Sequence, residues 1–151
     1  MTSSTIGTLF HLGPTPVIEE TMAFAEARHR LILSNVANSD TPHYRRQDLD
    51  EDRFRRTLER AIHDRRHQHP AEFRMGGATR EAVSTWGGAL RGPRVTTLPF
   101  EGPTRHDENN VSMEREMSIL AMNAAKYTSM SSLLRKELNQ LRAAITERPG
   151  N

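Results

Sequence analysis

"NVSMEREMSILAMNAAKYTSMSSLLRKELNQLRAAIT", Asn110 to Thr146, is the most regular stretch of this 151-residue chain. Met113, Met117, Leu120, Ala124, Tyr127, Ser131, Leu134, Leu138, Leu141 and Ile145 recur there at alternating steps of four and three. That alternation lays one apolar seam along an α-helix, the pattern of paired or coiled helices. No proline or glycine interrupts it. At the usual rise such a helix is about 50 Å long, and a seam of that length calls for company.

The nearest candidate is Pro16 to Asn38, where Ile18, Met22, Ala25, His29, Ile32 and Val36 follow the same alternation. Pro16 suits a helix start, and Glu19 and Glu20 are expected in the first turn, where carboxylates favour the helix dipole. This helix is too short to cover the other seam. The middle of the chain differs in kind. Phe54, Leu58 and Ile62 (or Ala61) mark a short amphipathic helix with Asp50 or Asp52 as its N-cap. Residues 64–109 hold most of the glycines and prolines and read as loops, with a short hairpin near Trp86 to Leu98. The expected fold is mainly α: long terminal helices packed as a coiled-coil-like pair, a short third helix, and an irregular middle. The parts are 1–40, 41–109 and 110–151.

Leu, Ile, Val and Phe make up 29 of the 151 residues, close to the roughly 20% below which chains struggle to fold alone. Net charge is only +2, so strong helices that finish folding against partners are expected rather than a disordered chain. There is no cysteine, hence no disulfide and no thiolate chemistry. The first fifteen residues show no basic and apolar signal-peptide pattern, and no apolar run suits a membrane span.

The exit from the first helix is "SNVANSDTPHYRRQDLD", Ser34 to Asp50. Asn35 and Asn38 suit a helix end, since asparagine tolerates left-handed backbone. Asp40 can bond over Thr41 and Pro42, and Pro42 forbids the helix to continue. Tyr44 offers a large ring with a polar tip for docking on a neighbour.

This stretch resembles the signature Asn-(Ile/Val)-Ala-Asn-x-x-Thr-Pro-Gly-Tyr of flagellar rod and hook axial proteins. The C-terminal residues Asp107, Asn109, Asn110, Val111, Glu116, Met117, Tyr127, Leu141, Arg142, Ala144 and Ile145 resemble the pattern of the proximal rod branch of that family. The likeness covers roughly 75 residues at the two ends. His43 and Glu108 stand where the family usually has glycine, and Phe54 and Leu58 match a Phe and a Leu common after its Asp-rich stretch. The resemblance implies a structural subunit without catalysis or cofactor, stacking helically through its terminal helices and transmitting torque. Its partners would be copies of itself, other rod subunits, the rod-base adapter and the export apparatus. It would lie in the periplasm-spanning rod, exported by the flagellar type III route without cleavage. The residues implied in assembly are the seam positions Ile18, Met22, Ile32, Val36, Met113, Met117, Leu120, Tyr127, Leu134, Leu138, Leu141 and Ile145. With them go the motif residues Asn35, Asn38, Asp40, Thr41, Pro42, Tyr44, Asn109, Asn110 and Val111.

Another short rod subunit would share most of these features. Arg53, Arg55, Arg56, Arg60, Arg65 and Arg66 suggest a small helical nucleic-acid-binding protein. However, Asp52, Glu59 and Asp64 are interleaved with them, and phosphate binding gains from uncompensated charge. His63 and His67 stand at metal-ligand spacing, with His69 nearby and His106 farther on, but without the Glu of a zinc helix, so surface histidines are the simpler reading. Asp50 with Asp52, and Glu114 with Glu116, are two apart and cannot face each other on a helix. Capping and dipole roles are expected for them. Met113, Met117, Met122 and Met130 read as packing at an adaptable interface. No small-molecule substrate, nucleic acid or metal is expected.

Overall fold

The computed structural model of the chain describes residues 13–67, 73, 95–97 and 109–146. In chain order these form α1 (Thr15–Ala37), β1 (Gln47–Leu49), α2 (Glu51–His67), β2 (Val95–Thr97) and α3 (Met113–Thr146). Helix dominates, and α1 and α3 lie against each other as an antiparallel pair. Asn35 near the end of α1 bonds Glu116 in the first turn of α3, and the Ala25 carbonyl farther back accepts from Asn123 Nδ2 at 2.8 Å.

α1 carries two buried faces. Ile18, Ala25 and Ile32 are buried on the seam expected from the sequence, with Met22, His29 and Val36 half-buried. The second face is led by Phe24, which stacks on Phe54 of α2 with ring centroids 4.1 Å apart and planes inclined by 17°. Leu49 completes this cluster, and Ala27, Leu31 and Leu58 pack against it. On α2 the buried positions are Phe54 and Ala61, with Leu58 and Ile62 half-buried. The short third helix is therefore held by the side of α1 that the seam leaves open.

The helix ends differ in detail from expectation. α1 starts at Thr15, so Glu19 and Glu20 fall beyond its first turn, which holds no acidic residue. Asp50 is the cap of α2, its Oδ1 accepting from the Arg53 N–H at 2.8 Å. Ser112 caps α3 through the Arg115 N–H at 3.4 Å. Asn38 ends α1 with φ −106° rather than left-handed backbone; the positive φ falls instead at His43, at 60°. A histidine in this left-handed backbone bears a cost of about 1–2 kcal/mol.

The segment expected to hold a hairpin contributes β2, whose antiparallel partner is β1, with Gln47 opposite Thr97 and Leu49 opposite Val95. Trp86 to Arg94 and Leu98 lie outside the described residues. Periodicity could not show this pairing, because each strand has three residues.

Replacing Phe24 by Ala removes the ring that joins α1 to α2. Loss of a buried aromatic costs about 3–5 kcal/mol, so urea unfolding followed by circular dichroism should move to a clearly lower midpoint.

Candidate functional site

The residues of the Ser34–Asp50 stretch and of the start of α3 meet where the two long helices cross. Their chemistry is polar and buried. Glu116 and Asn35 are both 0% exposed, and Asn109, Arg46 and Asp48 are also buried.

Asn35 spends all its hydrogen-bonding capacity there. Its Nδ2 donates to Gln47 O at 2.8 Å and to Glu116 Oε2 at 3.1 Å. Its Oδ1 accepts from the Gln47 N–H at 3.0 Å and the Tyr44 hydroxyl at 3.2 Å. Four partners saturate a side-chain amide. Neither aspartate nor leucine could replace it, since one lacks the donors and the other both donors and acceptors. Tyr44, expected to dock on a neighbour, places its hydroxyl on Asn35 of its own chain.

Asn109 does the same for the turn. Its Nδ2 donates to the carbonyls of Asn38, Ser39 and Thr41 at 3.1, 2.9 and 2.8 Å, while its Oδ1 accepts from the Val111 N–H at 2.8 Å. Asn110 Oδ1 accepts from the Arg46 N–H at 2.7 Å. Asn38 stays local: its Nδ2 donates to Ser34 O at 2.8 Å, and Thr41 Oγ1 donates to its Oδ1 at 3.2 Å. Asp40, Thr41 and Pro42 are exposed on the rim, and Val111 is buried.

A chain of alternating charges runs through the same place. Arg46 Nε donates to Glu116 Oε1, and its Nη2 lies 3.3 Å from Asp48 Oδ2. Arg28 grips Asp48 with two bonds of 2.9 Å and Glu51 with one of 2.5 Å. Lys126 Nζ of α3 closes the run on Glu51 at 2.6 Å. Every element except β2 supplies a member. Burial alone would raise the Asp48 pKa, but the bonds and charge of Arg28 outweigh it, and the pKa lies below the ordinary 3.8. Glu51 lies below the ordinary 4.5, chiefly through the Lys126 bond and against burial, with Arg28 adding to it. Burial opposes the Arg28 cation, and Asp48 and Glu51 together raise its pKa nonetheless.

Sequence reasoning missed the cross-chain roles of Arg28, Arg46, Asp48, Glu51, Glu116 and Asn123. From sequence Glu116 is expected only to favour the dipole of α3. A weak signal existed: a glutamate and an asparagine seven residues apart, each beside the apolar seam. The seam itself is only partly covered within the chain. Leu120, Leu134, Leu138 and Leu141 are half-buried and Met113 likewise, while Met117 is 50% and Tyr127 41% exposed. Ile145 lies in the last turn, its side chain outside the described part. On α2, Arg53, Arg55, Arg56, Arg60 and Arg66 are exposed, and Arg55 pairs with Asp52 at 2.9 Å. His63 and His67 are exposed, with ring centroids 4.4 Å apart. Among the described residues no helix is long and apolar enough to cross a membrane.

Known proteins are similar to this chain over most of its length. The flagellar basal body rod protein FlgB of Aquifex aeolicus is 30% identical over 125 residues, spanning 83% of this chain and 86% of its own. The chain belongs to the FlgB family of flagellar basal body rod proteins. FlgB of Cereibacter sphaeroides (strain ATCC 17023) is 29% identical over 128 residues, covering 83% and 88% of the two chains. FlgB of Proteus mirabilis is 23% identical over 130 residues, covering 85% and 90%. No family model matches the chain.

Two outcomes are expected from this geometry. Glu116→Ala leaves the buried Arg46 guanidinium without its main counter-charge, which typically costs about 3–5 kcal/mol. Combining it with Arg46→Met should recover most of that loss in urea unfolding, whereas a single variant within about 1 kcal/mol of the parent would show the pair to be dispensable. Acid is the second probe. Asp48 and Glu51 titrate lower in the folded chain than unfolded, so their contribution is present above the unfolded values of 3.8 and 4.5. It is lost as pH falls through those values and then through the lower folded ones. Stability should fall below roughly pH 5, and Asp48→Asn should flatten that slope.

Proposed function

We propose that the chain is a structural subunit of the proximal flagellar rod, stacking helically with copies of itself and other rod subunits and passing torque along the rod. The rod-base adapter and the export apparatus are its further neighbours, and the terminal helices form the rod core. Family membership supports the rod itself as the setting. One observation carries the finer reading: the motif residues lock α1 and α3 into a fixed pair while the apolar seam of α3 keeps Met117 and Tyr127 outward. A subunit that carries torque needs internal register fixed by bonds that do not slip, and apolar surface left for its neighbours. The polar lock supplies the first and the seam the second.

Arg46, Asp48 and Glu116 are occupied with one another. The relatives' name describes a rod component.

Met117→Asp tests the reading, because a half-exposed side chain can be changed with little harm to the fold. In cells lacking the native protein, this variant and Leu134→Asp should accumulate normally yet fail to restore swimming, with no rods in isolated basal bodies. Full motility in both would overturn the assembly role of the seam.

A further inference from the structure

The end of α2 carries two imidazoles side by side. His63 and His67 stand one helical turn apart, both exposed, with ring centroids 4.4 Å apart and planes inclined by 40°. The helix that presents them is held from its other faces. Ala61 is buried, Leu58 and Ile62 are half-buried, and Arg65 Nη1 donates to the Gly13 carbonyl at 2.9 Å. Asp64 Oδ1 lies 3.7 Å from His63 Nδ1, too far for a hydrogen bond.

We propose that His63 and His67 chelate one divalent transition-metal ion of the copper or nickel kind, which staples the last turn of α2. Distance selects the metal. Imidazole nitrogens bind such ions at about 2.0–2.1 Å. Two rings bound to one ion at a right angle then have centroids roughly 4.5 Å apart, and a tetrahedral angle opens this to roughly 5.2 Å. The 4.4 Å of this pair fits the right angle of a square or octahedral ion. Cu²⁺ and Ni²⁺ favour that geometry and imidazole ligands, Cu²⁺ binds most tightly of the series, and tetrahedral Zn²⁺ fits less well. Among the described residues no group of three such side chains could hold a metal, so water fills the remaining positions. The glutamate absent here belongs to the hydrolytic zinc helix, and a two-imidazole chelate does not need it. Asp64 beside Nδ1 of His63 leaves Nε2 to the ion and sets a carboxylate one shell out, where it favours a cation. Arg60 and Arg66, both exposed, oppose the ion, weakly because water and salt screen them. The site needs only a folded α2 and stands apart from the rod reading.

The absence of cysteine removes thiolate competitors, so the full chain can be titrated directly with Cu²⁺, Ni²⁺ and Zn²⁺ by calorimetry. His63→Ala and His67→Ala should each weaken Cu²⁺ binding at least about tenfold, since a lost ligand costs no less than a lost second-shell partner. Circular dichroism should not change, because both positions are exposed and alanine is a good helix former. His43→Asn, at an exposed histidine on another segment, should leave the affinity unaltered. Electron paramagnetic resonance of the bound Cu²⁺ should report two imidazole nitrogens in the parent and one in either alanine variant. Ni²⁺ at about ten times its dissociation constant should slow amide exchange at residues 64–67 about tenfold in the parent, and not in the variants. Equal Cu²⁺ affinity in parent and alanine variants would put the ion elsewhere and overturn the proposal, as would no binding at millimolar Cu²⁺. A one-nitrogen spectrum in the parent would overturn the chelate, and Zn²⁺ binding tighter than Cu²⁺ would overturn the choice of metal. Binding without slower exchange would overturn the staple.

Discussion

A single carboxylate, that of Glu116, decides how the long helices meet. It is fully buried at their crossing, bonded to Arg46 and Asn35. Removing two ions from water costs several kcal/mol each, and their attraction roughly offsets that cost, so such a pair contributes little net stability. What it contributes is uniqueness. An apolar seam that repeats every seven residues packs nearly as well after a slip of one heptad, and nothing in the seam tells the two states apart. The slipped state would strand Glu116 and Arg46 without each other. A buried polar layer breaks that degeneracy, as a lone polar core residue fixes register in coiled coils.

The same logic reaches the rest of the molecule. Lys126, Glu51, Arg28, Asp48, Arg46 and Glu116 alternate in sign and form a run that leaves α3 and returns to it through α2, α1 and β1. No member can shift alone. Asn109 then joins the start of α3 to three carbonyls of the turn after α1. Residues 41–109 therefore leave and rejoin the helix pair at one polar clasp. The entropy of closing a long segment grows only slowly with its length, which is why a few strong bonds suffice to hold so much chain.

The helices themselves were legible in the sequence, because periodicity, proline positions and caps are local. The two long seams and the Phe54–Leu58 helix could be read along the chain, and its cap narrowed to Asp50 or Asp52. The clasp could not. Asn35 meets Glu116 across 81 positions and Arg46 meets it across 70, and a pattern that reports a face does not report its partner. From sequence Asn35 reads as a local helix-end residue and Asn109 only as a motif residue, whereas both bond across the fold. Phe24 was hidden for another reason: α1 buries two faces, so its apolar residues wrap most of the helix and blur the stripe that a single face would show.

The division of labour on α3 follows from the same constraint. Polar contacts are directional and fail badly when misaligned, so they suit a partner held on the same chain at fixed distance. Apolar contacts tolerate adjustment, so they suit neighbours whose approach varies. Glu116 and Asn123 face α1, while Met117, Met122, Tyr127 and Leu133 do not bury. Scattered exposed apolar residues are ordinary on any surface. These differ because Met117 and Tyr127 belong to a seam that Leu134, Leu138 and Leu141 carry onward, and because α3 at 34 residues outruns the 23 of α1. At the usual rise that difference is about 17 Å of helix with no α1 residue opposite it. A seam longer than α1 leaves apolar surface that α1 does not cover, and the fixed register of the lock holds that surface in one place.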